Sequence, residues 1–371
     1  MKKNFVLISP KNRTVYNFRG DLIRSIIERG YDVLVVGPNR EDIDKILKLG
    51  VKFVEIPMHK NGINPIADLK YLWRLTKVLS SEQADVTLGY TIKPVIYGAI
   101  AAKIAGVKSI NSMITGAGYL FISESGKAKI LKRIGSILYK IGLRCTDHVL
   151  FQNKDDLNEF VEHHLVAKDK CYLVNGFGVN MKHFYRTPLP DKITFFMLSR
   201  VMVSKGIREY LSAAYIVKAK YPDVRFMLLG AIEKLQDSLP VNELQPYINK
   251  GIIEYFEETT DVREYITQCS VFVLPSYREG TPRTVLEAMS MGRAIITSDA
   301  PGCRETVKNG ENGFLIEVRN VNSLVQKMIW MIEHSAQLEK MGNNSYLYCK
   351  ERFEVSKVNI EMHRIMGIDK L

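Results

Sequence analysis

The chain has 371 residues, of which 46% are hydrophobic and 25% are charged, a composition that excludes a disordered or fibrous protein. No apolar run reaches the ~18 residues of a membrane span, and five scattered cysteines indicate reduced thiols in a cytoplasmic protein. The net charge is +12, and residues 1–180 hold 27 Lys and Arg against 17 Asp and Glu. This excess favours anionic partners such as phosphorylated ligands, anionic lipid or nucleic acid.

Apolar runs alternate with helical patterns through the first half, beginning with a strand at Phe5–Ile8 rather than a signal peptide. Further strands are predicted at 33–36, 52–56, 85–88 and 109–114, with helices at 18–29, 41–49, 68–79 and 95–105. Strands that are apolar throughout are buried on both faces. The alternation therefore predicts βαβ units and a parallel sheet.

The alternation of predicted strands and helices stops at residues 175–191, a Gly- and Pro-containing stretch typical of a linker. It resumes after this stretch. Strands are predicted at 193–198, 225–229, 252–256, 271–274, 294–297 and 313–317, with a helix at 207–221. We therefore expect an α/β protein of two Rossmann-like domains, 1–183 and 184–350, facing a cleft. Ligands of such sheets bind outside the carboxyl ends of the strands.

The segment after the strand at 271–274 contains the densest set of candidate residues. Thr281 and Pro282 predict a helix start, with Thr281 as N-cap and Pro282 as the first helical residue. Free amides at that start would form an anion site for a diphosphate, and Gly280 would allow close backbone approach. Glu279 lies just before the predicted helix start, and Glu287 lies about two turns into the helix. Spacing alone also allows a capped surface helix with solvated acids.

A second basic element follows the strand at 193–198. Arg200 and Lys205 flank a short loop before a helix that begins near Gly206. The forked guanidinium of an arginine and the mobile ammonium of a lysine can both bind the oxygens of a departing diphosphate. Taken alone, they are also compatible with two ordinary surface cations.

Other segments occur in order with these two: Val174-Asn175-Gly176, Ser298-Asp299-Ala300-Pro301-Gly302, and Asn309-Gly310-x-Asn312-Gly313. Together with the Glu-x7-Glu of Glu279 and Glu287, the set resembles glycosyltransferase family 4 across residues 170–320. The resemblance implies the GT-B fold, a retaining transfer from a nucleotide diphosphate sugar, and a C-terminal helix at about 351–371 that crosses back to the first domain.

The resemblance also implies roles for individual residues. Arg200 and Lys205 would clamp the donor diphosphate, Glu279 would contact hydroxyls of the donor sugar, and Glu287 would bind the ribose. We expect catalysis to rest on Arg200, Lys205 and Glu279.

The same resemblance assigns phosphate contacts to the backbone at the start of the helix. The amides of Thr284 and Val285 would meet phosphate oxygens, beside Gly280. No metal and no other cofactor is implied. Asp42-Ile43-Asp44 spells an Asp-x-Asp, but its position after the second strand favours acids in the first turn of a helix.

The first half carries weaker signals. Thr115-Gly116-x-Gly118-Tyr119 resembles a segment of family members that build bacterial surface polysaccharides, and its glycines would let a sugar or lipid phosphate approach the backbone. A tight turn before a helix is the alternative. The Gly-Gly that many members carry in the first strand–helix loop is absent, and we take Arg19 in that loop as a candidate acceptor or phosphate contact.

Residues 127–144 contain six basic residues and no acidic one, with Ile130, Ile134, Ile137, Leu138 and Ile141 at helical spacing. This pattern suits a helix on anionic lipid. The interpretation we favour for the apolar stripe is packing against the sheet of the first domain, with the lysines solvated.

These observations predict a cytoplasmic enzyme, peripheral on the inner face of the membrane. It would transfer a hexose or N-acetylhexosamine, with uracil as the expected base, to a polyprenyl-diphosphate-linked saccharide of O-antigen, capsule or exopolysaccharide. A nucleotide-sugar epimerase of the same fold is the alternative. Nucleic-acid binding is not expected because no zinc finger, helix-turn-helix or RRM signature is present. A dinucleotide oxidoreductase is disfavoured because Gly-x-Gly-x-x-Gly does not follow the first strand.

Overall fold

The computed structural model describes residues 2–58, 64–116, 126–233, 235 and 237–369. The chain divides into two compact units, residues 1–177 with 356–371 and residues 178–355. The division lies within the stretch 175–191 that the sequence assigns to a linker. Gly176 and Gly178 adopt φ values of +63° and +67° there, a left-handed backbone that glycine adopts without strain.

The first unit is built on a seven-stranded parallel sheet of order β3-β2-β1-β4-β5-β6-β7. Its strands are β1 Asn4–Ile8, β2 Asp32–Gly37, β3 Lys52–Glu55, β4 Val86–Tyr90, β5 Ser109–Ile114, β6 His148–Phe151 and β7 Cys171–Leu173. β1 shows why both faces are covered: Phe5 and Leu7 enter one apolar core, and Val6 and Ile8 enter another on the opposite face.

Helices cover each face of this sheet. One face carries α1 Asn12–Phe18, α2 Gly20–Ile27, α3 Ile43–Leu47 and α14 Val355–Met366. The other carries α4 Pro65–Ser81, a π-helical turn Pro94–Gly98 that continues into α5 Ala99–Ile104, α6 Gly126–Arg144 and α7 Lys154–Glu162.

The C-terminal helix α14 belongs to the first unit. Val358 and Met362 enter the same core as Phe5 and Leu7. His363 Nε2 lies 3.0 Å from Ser25 Oγ on α2. Burial lowers the pKa of His363 to about 4, with nearby Arg29 acting in the same direction.

The second unit is built on a six-stranded parallel sheet of order β10-β9-β8-β11-β12-β13. Its strands are β8 Thr194–Leu198, β9 Arg225–Leu229, β10 Glu254–Phe256, β11 Val271–Leu274, β12 Ala294–Ser298 and β13 Gly313–Ile316. Its helices are α8 Ile207–Lys220, α9 Val241–Asn249, α10 Arg263–Thr267, α11 Arg283–Ser290, α12 Val321–Glu333 and α13 Leu338–Arg352. One 3₁₀ turn, Lys168–Lys170, belongs to the first unit, and three, Val203–Lys205, Arg304–Thr306 and Ser335–Gln337, belong to the second.

The two parallel sheets confirm the predicted α/β class. Every predicted strand is present, with ends that differ by no more than two residues. The sequence patterns did not predict α1, β6 and β7, nor the helices α7, α9, α10, α12 and α13. α1 begins without a side-chain cap at Lys11, and β7 is an edge strand of three residues, so neither leaves a strong sequence pattern.

Candidate functional site

Two loops are joined at the carboxyl edge of the second sheet. The loop after β11 contacts the loop after β8, because the Tyr277 amide donates to the Ser204 carbonyl at 2.9 Å and the Ser276 hydroxyl donates to the same oxygen at 3.2 Å. The Glu279 amide donates to the Pro301 carbonyl, after β12, at 3.0 Å. Three loops that are distant in sequence therefore form one hydrogen-bonded edge.

Two glycines make this close approach possible. Gly206 and Gly302 both adopt a φ of +76°. A Cβ on Gly206 would overlap the Pro275 carbonyl, and one on Gly302 would overlap the carbonyl oxygens of Glu279 and Gly280. Any larger residue would thus push apart the loops that carry the candidate residues.

Lys205 and Glu279 are brought together by this edge. Lys205 Nζ lies 2.5 Å from Glu279 Oε1, and both side chains are largely buried, at 19% and 14% exposed. Charges with little solvent around them interact strongly, so Lys205 and Glu279 form a strong ion pair at the loop edge of the second sheet. A diphosphate would compete with Glu279 for Lys205, which leaves the carboxylate to accept hydrogen bonds from sugar hydroxyls.

Arg200 follows β8, but its guanidinium lies in an ion pair with Glu233 after β9, at 3.2 Å. The two side chains are 46% and 34% exposed. A pair of this kind is weak, so Arg200 can be redirected at low cost.

The helix start differs from the prediction. Thr281 is not the N-cap and Pro282 is not the first helical residue, because α11 begins at Arg283. Pro282 keeps an extended ψ of 104° while its carbonyl accepts from the amides of Val285 and Leu286, which makes it the N-cap residue. Of the two amides predicted to meet phosphate, that of Val285 is thus already engaged, at 3.1 Å from the Pro282 oxygen. The phosphate contacts of Thr284, Val285 and Gly280 stay predictions.

Glu287 lies one turn into α11 rather than two, since the helix starts later than expected. Its carboxylate is buried and lies 3.1 Å from Arg283 Nε, while Arg283 Nη1 donates to the Gly178 carbonyl at 2.8 Å. Burial raises the pKa of Glu287, and Arg283 opposes that rise. A buried carboxylate held by one neighbouring cation can accept hydrogen bonds from a vicinal diol.

Sequence reasoning missed three residues that fix the loop carrying Glu279. The Tyr277 hydroxyl donates to Glu209 Oε1 on α8 at 2.8 Å, and the Arg319 guanidinium lies 4.7 Å from the centre of the Tyr277 ring. Burial, with Glu209 beside it, raises the pKa of Tyr277 to about 12. Only the position of Tyr277 beside Glu279 could have singled it out, because Glu209 and Arg319 lie in other segments.

Two family models match, one to each half of the chain. Residues 6–153 match the model described as "Glycosyl transferase 4-like", and residues 182–348 match "Glycosyl transferases group 1". The chain belongs to the family 4 glycosyltransferases. The recognition made on the sequence motifs is confirmed, and with it the assignment as an enzyme.

Two curated relatives of this glycosyltransferase are bacterial glycosyltransferases. It is 27% identical over 352 residues to the N,N'-diacetylbacillosaminyl-diphospho-undecaprenol alpha-1,3-N-acetylgalactosaminyltransferase of Campylobacter jejuni, covering 91% of this chain and 92% of that protein. It is also 27% identical over 313 residues to the UDP-Gal:alpha-D-GlcNAc-diphosphoundecaprenol alpha-1,3-galactosyltransferase of Escherichia coli, covering 81% and 79%.

Solved glycosyltransferases share the fold. HepE of Anabaena, in complex with UDP and glucose, matches with a TM-score of 0.79 at 16% identity, over 98% of this chain and 99% of that one. A glycosyltransferase of Rickettsia africae matches with a TM-score of 0.78 at 18% identity, over 99% and 98%. The predicted GT-B fold is confirmed.

In the first unit of the glycosyltransferase, Arg19 lies between α1 and α2 and is buried. Its guanidinium lies 3.0 Å from the centre of the Phe177 ring and 4.1 Å from that of Tyr90. The Tyr90 hydroxyl also lies 2.8 Å from Thr14 Oγ1. These contacts hold Arg19 as part of the packing, and its role toward an acceptor or phosphate stays a prediction.

Thr115 and Gly116 directly follow β5, as predicted. Thr115 is partly exposed, and Gly116 is exposed with a φ of +116°. Gly118 lies outside the described residues.

The apolar stripe of α6 is not packed as expected. Ile134, Ile137 and Ile141 are 38%, 53% and 45% exposed, whereas Tyr139 and Leu143 are buried. The interpretation of the stripe as core is therefore wrong for these three isoleucines, because the sheet accepts the opposite side of the helix.

In the part of the chain that is described, no group of three His, Cys, Asp or Glu side chains could hold a metal ion. Asp42, from the Asp-x-Asp, precedes α3 with a φ of +55°; its carboxylate accepts from the Tyr16 hydroxyl at 2.9 Å and pairs with Lys45. Transfer without metal stays a prediction. Over the same residues, no helix combines the length and apolar character needed to cross a bilayer.

Proposed function

We propose that this glycosyltransferase transfers a sugar from a nucleotide diphosphate sugar to a polyprenyl-diphosphate-linked saccharide, with retention at the anomeric carbon. The acceptor class is supported by the two relatives described above, whose names both specify an undecaprenol diphosphate acceptor. The donor we favour is a UDP-linked hexose or N-acetylhexosamine, in line with the UDP-Gal in one of those names. The product would enter O-antigen, capsule or exopolysaccharide.

The observation that carries the proposal is the Lys205–Glu279 pair at the loop edge of the second sheet. Lys205 would turn from Glu279 to the donor diphosphate, and Arg200 would leave Glu233 to join it. The Glu279 carboxylate would then accept hydrogen bonds from hydroxyls of the donor sugar, and the Glu287 carboxylate would accept them from hydroxyls of the ribose. The backbone from Gly280 to the start of α11 would approach the phosphate oxygens.

Retention follows from substitution on one face of the donor sugar. The bond between C1 and the leaving phosphate oxygen breaks while the acceptor hydroxyl approaches from the same side. The departing phosphate oxygen takes the hydroxyl proton, so no enzyme nucleophile is needed. The contribution of the protein is to hold the charge that develops on the diphosphate, which Lys205 and Arg200 carry without a metal.

A lipid-linked acceptor places the reaction at a membrane surface, and we propose a peripheral location on the cytoplasmic face. Support comes from the charge of the first half, where 27 basic residues oppose 17 acidic ones.

A donor panel tests the proposal. Nucleotide sugars are scored for thermal stabilisation, and those that stabilise are offered with a polyprenyl-diphosphate-linked saccharide, with the anomeric configuration of the product read by NMR. We expect stabilisation by a UDP sugar and a product of retained configuration. An inverted product, or an epimer formed without any acceptor, would overturn the assignment.

A further inference from the structure

The outer side of α4 is apolar although it does not contact the sheet. Ile66, Leu69 and Trp73 are 71%, 63% and 64% exposed, at spacings of three and four residues. At ~100° per residue they lie opposite the buried Tyr71 and Leu75. The fold therefore does not account for these three side chains, since its core needs only the other side of the helix.

The outer side of α6 has the same character. Ile134, Ile137 and Ile141 follow one another at spacings of three and four residues and lie opposite the buried Tyr139. The short helix α5 packs against both α4 and α6.

These helices lie on one face of the first sheet. Tyr71 and Leu75 of α4 share a core with Ile8 of β1, and Tyr139 of α6 shares one with Phe151 of β6. The register places Ile8 and Phe151 on the same face of the sheet. The two apolar stripes consequently form the outer surface of a single helical layer.

The surface charges of α4, α5 and α6 have one sign, whereas α7, on the same sheet face, carries acids. The exposed basic side chains beside the stripes are Lys70, Arg74, Lys77, Arg133, Lys140 and Arg144. The only acid in the sequences of α4, α5 and α6 is Asp68. It is buried, 2.6 Å from Lys93 Nζ, with the Tyr97 hydroxyl donating to it at 3.1 Å, so it does not offset the surface charge.

We propose that this outer surface of α4 and α6, the basic–apolar face, docks on an anionic bilayer. Its apolar part consists of Ile66, Leu69, Trp73, Ile134, Ile137 and Ile141. Apolar side chains flanked by cations are the arrangement that interfacial helices present to anionic lipid. Trp73 is the anchor, because an indole prefers the headgroup level, and Lys77 Nζ, 5.7 Å from its ring centre, would reach toward the headgroups.

The charge argues against a second copy of the chain as the occupant, since two such surfaces would repel each other. The proposal deepens the proposed function by naming the surface through which the enzyme reaches a lipid-linked acceptor, and it rests on that function only for the identity of the acceptor.

Vesicle sedimentation tests the face directly. We expect the unmodified protein to bind phosphatidylglycerol vesicles well above phosphatidylcholine vesicles. Leu69→Ser with Trp73→Ser should weaken binding at least tenfold. Lys70→Glu with Arg74→Glu and Lys77→Glu should remove the preference for anionic lipid.

The matched control is Ile360→Ser on α14. This isoleucine is as exposed as Trp73, at 60%, but lies on the helical layer of the opposite sheet face, so binding should not change. Unchanged binding of both α4 variants would overturn the proposal. So would equal binding of the unmodified protein to both vesicle types, or a shift of a dimer to monomer in the α4 variants.

A fluorescence measurement reports on Trp73 itself. The chain has two tryptophans, and the second, Trp330, packs against Phe314 in the second unit. In Trp330→Phe, Trp73 is the sole reporter. Anionic vesicles should shift its emission to the blue, and brominated lipid should quench it. Emission that keeps the wavelength of a solvated indole in bound protein would overturn the anchor assignment.

Activity assays separate this proposal from the proposed function. The α4 variants should keep turnover on a water-soluble short-prenyl acceptor within about twofold and lose it on an acceptor embedded in vesicles. If the unmodified protein transfers sugar to neither acceptor, the proposed function fails while the vesicle result stands. If the variants keep full turnover on the embedded acceptor, the docking surface fails while the function stands.

Discussion

Lys205→Ala removes the cation that lies 2.5 Å from Glu279 Oε1 at the loop edge of the second sheet. In the proposed reaction this ammonium turns to the diphosphate. At about 3 Å from a phosphate oxygen, and at an effective dielectric constant of about 20, it contributes roughly 5 kcal/mol of Coulomb attraction. Water that replaces the side chain recovers part of this energy.

Loss of a single charge-stabilising donor costs about 3–4 kcal/mol of transition-state energy in comparable sites, so kcat should fall by about 10²-fold or more. The assay is steady-state transfer from the donor that the panel identifies, with kcat and donor KM determined separately. The larger effect is expected on kcat, because charge on the diphosphate increases as the C1–O bond breaks. Lys205→Arg keeps the charge and should recover part of the loss.

Lys250→Ala is the matched control, since Lys250 is an exposed lysine at the end of α9. Its kcat should equal that of the unmodified protein. Near-normal turnover in Lys205→Ala, with a folded protein by thermal melting, would refute the assignment of Lys205 to the departing diphosphate.

Three further predictions concern binding, backbone and pH. Glu287→Gln should weaken UDP binding by about tenfold or more by calorimetry. In the unmodified protein affinity should decline as the pH falls toward the raised pKa of Glu287, because the ribose binds the ionised form; a decline of the same size in the variant would contradict this role. Gly302→Ala should lower both the melting temperature and kcat more than Gly310→Ala, because both glycines have positive φ but only Gly302 faces backbone; equal losses would show that φ strain alone matters. Burial lowers the folded-state pKa of His363 from 6.5 to about 4, so the stability that comes from keeping this imidazole neutral is present above pH 6.5 and is lost as the pH falls toward 4. Melting temperatures from pH 7 to 4.5 should fall less in His363→Gln, and parallel profiles would contradict this.

Much of the fold could be predicted because both sheets are parallel and buried on both faces. A strand such as Val271–Leu274, buried at all four positions, leaves a continuous apolar run that the sequence displays directly. Helix ends were less predictable. Thr281-Pro282 is typical of a helix start, yet Pro282 remained extended and the helix began at Arg283.

The candidate site was predictable where chemistry and spacing coincide in one segment. Glu279 and Lys205 were singled out in separate segments, and the structure joins them in an ion pair. The contact of Tyr277 with Glu209 joins a loop to a helix about 70 residues away, and no local pattern reports it. The exposed isoleucines of α6 show the converse limit: periodicity reveals an apolar stripe but not which side of the helix the sheet accepts.

The central claim is that the loop edge of the second sheet holds the donor diphosphate with two cations, and a crystal structure with bound UDP tests it most directly. The account predicts Lys205 Nζ and the Arg200 guanidinium within about 3.2 Å of diphosphate oxygens, with the carboxylate of Glu287 on the ribose. Bound UDP with Lys205 still on Glu279 and Arg200 still on Glu233 would contradict it.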